Sequence, residues 1–263
     1  YMEIRSICCF TVWALFASSL VAVYRITENR FFSMLYALCI IALNPLAISA
    51  SLTLMTCFAL SFLGILVLPI AADLRNPDCF QIALLFLGLG ALTQFFDFYT
   101  YPLITFAFPM IVFLAAKKGD GWEQRRKRQF SWMLRGLAAW LFGYVGIWLL
   151  KLASTALFTG IDVWAIANNA MDASFGMTPG VDLLKTLSAC AKNMLAPEIQ
   201  ISLLIVTVVW IVLLIRNPDR QSRLADSIVF LAIGLAGVVW IILAKRTYEH
   251  RFFQYRTLGV LLM

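Results

Sequence analysis

Long apolar runs separated by short charged clusters make up most of this chain, a pattern that predicts helices crossing a membrane. The first run, Ser6 to Tyr24, precedes a loop with Arg25, Glu28 and Arg30. Phe31 to Ala72 carries no charge. Asn44-Pro45 divides it, because proline cannot donate to the preceding turn and disfavours helix in the residue before it. Spans are expected at 31–44 and 51–71, followed by a loop with Asp73, Arg75, Asn76-Pro77 and Asp78. From Cys79 to Ala116 the only charged side chain is Asp97. That stretch is close to twice the roughly 20 residues that cross a bilayer, so the chain must turn near Asp97. The basic cluster KKGDGWEQRRKRQ then leads to a sixth span at 136–158. After a polar stretch at 160–198 come spans at 199–215 and 227–244, and Leu258 to Met263 opens another. The fold class is all-α: a polytopic transmembrane helical bundle of about eight spans plus the start of a ninth, one transmembrane domain over 1–263. Opening on Tyr1 and closing on an apolar run too short to span, the chain reads as a piece of a longer protein.

The turn at Asp97 reads TQFFDFYTYPLITFAFP, Thr93 to Pro109. Its Phe and Tyr rings suit headgroup depth, and Pro102 suits the first turn of the next helix. Asp97 is either a solvated acid at a hairpin tip or the lining of an active-site cleft at the membrane surface. The 160–198 stretch is expected to be partly helical. Thr178 can cap, Pro179 fits the first helical position, and Val181, Leu184, Leu187, Ala191, Met194 and Leu195 recur with helical spacing. Lys185, Ser188 and Lys192 fall on another face, which fits a helix lying in the membrane surface as the rim of a cleft.

Composition excludes a water-soluble globule: 62% of residues are hydrophobic and 13% charged, against a charged fraction of about 25% in soluble domains. The net charge of +7 does not indicate nucleic acid, since most of the positive residues lie in short loops beside apolar runs, where topology accounts for them. The cysteines have no metal or redox spacing and read as small hydrophobes. Neither a Gly-rich phosphate loop nor a Ser/His/Asp set can be assembled, and no metal site or cofactor is identified from the residues.

Thirteen of the 21 Lys and Arg residues fall on one side of the predicted topology, which makes the basic loops 117–129 and 216–226 cytoplasmic. Asp97, the 160–198 loop and the segment 245–256 then lie on the outer face of a multi-pass cell-membrane protein. That last segment, KRTYEHRFFQYR, departs from the rule. It places Lys245, Arg246, His250, Arg251 and Arg256 on the outer side, interleaved with Tyr248, Phe252, Phe253 and Tyr255. An anionic partner at headgroup depth explains them, because arginine offers a planar fork to phosphate oxygens while rings pack on a lipid chain. A snorkelling belt that binds membrane lipids non-specifically is the simpler alternative.

Lys151 lies inside the sixth span, short of its outer end. Helical side chains lean toward the N-terminus, here into the membrane, so Lys151 is expected to find an internal partner, and Asp97 is the nearest acid in depth. The pair is either structural or catalytic.

The stretches FFDFYTYPLITFAFP, GYVGIWLLK ending at Lys151, and HRFFQYR resemble a family of bacterial polytopic membrane proteins related to the GT-C superfamily, the multi-span glycosyltransferases that use polyprenyl-phosphate sugars. The resemblance implies sugar transfer from a lipid-phosphate donor on the outer face. It also implies an acid in the first outer loop acting as base or as ligand to a divalent metal. That loop maps upstream of Tyr1, so what carries over is an outer-face acid and nearby cations, matched to Asp97 and to Arg251 and Arg256. Asp97 is the candidate catalytic residue, and Lys151, His250, Arg251, Tyr255 and Arg256 are the candidate substrate-binding residues. Two other classes fit the same pattern. A transporter or lipid flippase would place Lys151 and Asp97 along a pathway, and a non-catalytic assembly protein would need neither.

Overall fold

The computed structural model describes residues 2–42, 55–71, 78–96, 102–116, 122–165 and 167–169, with single positions at 184, 185, 188, 192, 204, 208, 212 and 233. The described residues are all helical, joined by short turns. Six helices are continuous: α1 (Met2–Thr27), α2 (Arg30–Ala42), α3 (Thr56–Ala71), α4 (Cys79–Phe96), α5 (Ile104–Ala116) and α6 (Trp122–Thr159). Three stretches are long and apolar enough to cross a membrane: Ile4–Thr27, Cys79–Phe96 and Gln129–Thr159. The described parts of α2 and α5, at 13 residues each, cover about 20 Å, less than the roughly 30 Å of a hydrocarbon core.

Local chemistry accounts for the helix ends. At the α1–α2 turn Glu28 has φ 51°, and its N–H donates to Tyr24 O at 2.8 Å, closing α1 with a left-handed cap. Asn29 then caps α2, its Oδ1 accepting from the N–H groups of Phe31 (3.0 Å) and Phe32 (3.2 Å). Asp78 Oδ1 does the same for α4 by accepting from Phe80 N–H at 3.2 Å. Gly160, with φ 66°, closes α6 with the same left-handed cap as α1 by donating to Ala156 O.

α5 forms the centre, every residue from Ile104 to Leu114 being buried, as befits a helix that is apolar all round. It touches α1, α3, α4 and α6. Its Pro109 lies against Gly64 of α3, where an added Cβ would come within 2.9 Å of the proline Cγ. Ser19 and Tyr36 join α1 to α2 by a buried 2.8 Å hydrogen bond between their hydroxyls. Ile233, helical and 2% exposed, belongs to the same core.

The sixth helix corrects the expected boundary. It starts at Trp122 rather than near Gly136, so residues 122–129 of the basic cluster are the first turns of a helix and not a loop. Glu, Gln, Arg and Lys propagate helix well, and a charged stretch can leave the apolar region without breaking it. In the 160–198 stretch, Asp162 Oδ1 accepts from Trp164 and Ala165 N–H, and helix is present at 163–165 and 167–169. Lys185, Ser188 and Lys192 are also helical and exposed, in agreement with the expected polar face, and Leu184 of the expected apolar face is helical and exposed as well.

Candidate functional site

The candidate site is built on two parallel helices. Along α4 and α6 the contacts advance together, Phe86 with Gly136, Gly90 with Trp140, and Gln94 with Lys151. Small residues let the backbones meet: a Cβ on Gly90 would collide with the Trp140 carbonyl, and one on Gly143 with the Leu87 carbonyl. From Gln129 onward the buried positions of α6 are Gln129, Met133, Gly136, Trp140, Gly143 and Tyr144, the spacing of a coiled-coil seam. Beyond Tyr144 no residue of α6 is buried.

Where the seam ends, a polar network ties α4 to α5, the helices that flank Asp97 in the chain. Thr93 on α4 and Thr105 on α5 share a 2.7 Å hydroxyl–hydroxyl hydrogen bond. Trp140 Nε1 of α6 donates to Thr105 Oγ1 at 3.0 Å. Two backbone carbonyls lie within reach of the same hydroxyls, Leu89 O 2.6 Å from Thr93 Oγ1 and Pro102 O 2.8 Å from Thr105 Oγ1, so one threonine donates to the other and the second to its own carbonyl. All three side chains are buried, where an unpaired hydroxyl or indole N–H would cost about 1–3 kcal/mol. The Trp140 ring stacks on Tyr144 with centroids 5.0 Å apart and planes at 20°.

Lys151 stands one step further along. Its Nζ donates to Gln94 O at 2.7 Å and to Phe95 O at 3.2 Å, and lies 5.4 Å from the centre of the Phe95 ring. Those carbonyls belong to the last turn of α4, which has no intrahelical donors for them, and an ammonium there also meets the negative end of the helix dipole. The internal partner expected for Lys151 is therefore, among the described residues, a pair of backbone carbonyls and a ring. Phe95 and Phe96 pack edge to face at 4.9 Å, and both are exposed. At the other end of the same helix pair, Arg135 Nη1 donates to Cys79 Sγ. That gives one cysteine a polar role its surroundings in the sequence did not suggest. Cys8, Cys39 and Cys57 are buried, as small hydrophobes are.

Of the candidate site residues, Lys151 is described, while Asp97, His250, Arg251, Tyr255 and Arg256 lie outside the described residues. Among the described residues no three of His, Cys, Asp or Glu gather as metal ligands. The Thr93–Thr105–Trp140 network and the glycine contacts were missed by sequence reasoning. The glycines had a signal, Gly90, Gly136 and Gly143 being small residues within apolar spans. The threonines had none, because a Thr in a span ordinarily satisfies itself on its own helix.

Comparison with known proteins gives no matching family model, no matching curated protein and no matching solved structure. The class of the molecule therefore rests on its own features: among the described residues, an all-helical structure with three helices long and apolar enough to span a membrane.

Proposed function

We propose that this chain is a GT-C-like membrane transferase of about eight spans, with Asp97, the 160–198 loop and the 245–256 segment on the outer face. It moves a sugar from a polyprenyl-phosphate donor to an acceptor hydroxyl. The observation that supports this reading is the ammonium of Lys151 fixed on the last turn of α4, the turn that Asp97 directly follows in the chain. The reaction uses a fixed cation and an acid, and Lys151 is fixed on the turn that precedes Asp97 in the sequence. Asp97 takes the proton of the acceptor hydroxyl as its oxygen forms a bond to the sugar C1, and the C1–O bond to the lipid phosphate breaks with its electron pair leaving on phosphate. Arg251 and Arg256, with Lys151, stabilise that phosphate, and His250 and Tyr255 complete its surroundings.

The test is product formation measured beside lipid-phosphate binding in the purified protein. Asp97→Asn should retain binding and lose transfer by about 100-fold or more, the usual contribution of a general base. Arg251→Lys and Arg256→Lys should weaken binding, and alanine at either position should weaken it further. Normal transfer by Asp97→Asn would remove the acid from the mechanism.

A further inference from the structure

Gln129 stands at the Cys79 end of the α4–α6 seam and is only 3% exposed, yet neither its Oε1 nor its Nε2 has a hydrogen-bond partner among the described residues. An amide shut away from water without a partner is costly and calls for a physical reason. Phe86 meets Gly136 and Gly90 meets Trp140, and the same register carried two turns back sets Gln129 level with Cys79, the first residue of α4. The two ends of the seam differ in kind. At the Lys151 end, Gly90 and Gly143 bring backbone against backbone, the Thr93–Thr105–Trp140 network is buried, and Lys151 donates to two carbonyls. At the Cys79 end the contacts are movable side chains, since a Cβ on Gly136 would meet the tip of Met110, and the next buried seam residue is Met133. The cation that crosses there, Arg135, rests on the Cys79 thiol, a weak acceptor.

We propose that the α4–α6 pair is built to part at its Cys79 end: the first turns of α6 swing away from α4 about Trp140, and the Gln129 amide becomes hydrated as they go. Packing of Met133, and of Phe86 on Gly136, closes the seam, while the unpaired amide offsets part of that gain and keeps the open arrangement within reach. Trp140 is the pivot because the fixed contacts begin there. Towards Lys151 every contact between the two helices involves backbone, and towards Cys79 none of those named does. The movement uncovers the first turns of α4 at the end of the helix pair away from Lys151, and it does not depend on the transfer reaction.

The experiment uses the purified protein in nanodiscs carrying Met133→Cys, with the reaction of position 133 towards N-ethylmaleimide followed by peptide mass spectrometry, which separates it from the native cysteines. Gln129→Leu removes the unpaired amide and keeps most of its volume. It should slow the reaction about tenfold, the population change that corresponds to the usual penalty on a buried unpaired amide, and raise the melting temperature. Gln129→Met should do the same. Gln129→Glu should speed the reaction, because a carboxylate there is costlier to bury. Arg135→Met, which removes the contact with Cys79, should speed it about twofold. Lys151→Met should leave it unchanged, since that contact lies beyond the pivot. An unchanged rate in Gln129→Leu and Gln129→Met would overturn the proposal, as would lower melting temperatures for both, the mark of a buried water that satisfies the amide. Acceleration by Lys151→Met equal to that by Arg135→Met would also overturn it, because the exposure of position 133 would then report loosening of the whole pair.

Discussion

α5 and α6 are both apolar through their cores, yet α5 is buried on every side from Ile104 to Leu114 while only six of the 31 residues of Gln129–Thr159 are buried, along a single seam. In water that contrast would be written in the sequence as a polar face. In lipid, exposed apolar surface carries no penalty, so Phe142 and Leu150 are as acceptable on the outside of α6 as Phe108 is inside α5. What distinguishes the two is residue size at the contact. α6 meets its neighbours through Gly136 and Gly143, where backbone lies against backbone or side chain, while α5 fills the centre with Phe106, Phe108 and Phe113. A helix at the centre is defined by volume, and one at the edge by a notch.

The sharpest way to break this contrast is to fill the notch. Gly143→Val should prevent the α4–α6 contact, because the obstacle is the Leu87 carbonyl, which cannot rotate away. We expect loss of a monodisperse protein in detergent, whereas Gly146→Val, which faces open space, should elute and melt as the wild type. Next in size is a pair of identical substitutions. Phe108→Ala should lower stability by about 3–5 kcal/mol through the cavity it leaves, and Phe142→Ala, at a residue 75% exposed, by less than about 0.5 kcal/mol. Similar melting shifts for the two would mean that α6 is covered as fully as α5. The smallest effect is expected at Lys151. Lys151→Met should cost about 0.5–1 kcal/mol, the loss of a cation at a helix C-terminus, and Lys151→Arg should restore most of it. A Lys151→Met loss several times larger would point to a buried partner beyond the two carbonyls.

The sequence made the helical class readable, while two helix caps went unread although an Asp or Asn before an apolar run is a local signal. Asp78 and Asn29 are such positions. The start of α6 was misread because charge marks where a helix leaves lipid, not where it stops. The site was legible only in part. Lys151 was recognisable as an ion in a span, but its partners on Gln94 and Phe95 depend on α4 and α6 lying side by side in a particular register. Register between two uniformly apolar helices comes from a few glycines, and that information exists only once the helices meet. Trp140 and Thr105 illustrate the same limit, being 35 positions apart on different helices and joined by one hydrogen bond.

The parallel course of α4 and α6 also sets an order of events during synthesis. Two neighbouring helices that run the same way cannot meet until the chain between them has crossed back, so Gly90 must wait for α5 to enter and for Trp140 to leave the ribosome. At about 5–20 residues per second, the roughly 50 residues involved take about 3–10 seconds. For that interval α4 lies in the membrane with its glycine notch filled by lipid or by another membrane protein, and the Thr93–Thr105 contact lacks the Trp140 bond that completes it. Assembly of this end of the molecule is thus timed by the arrival of α6.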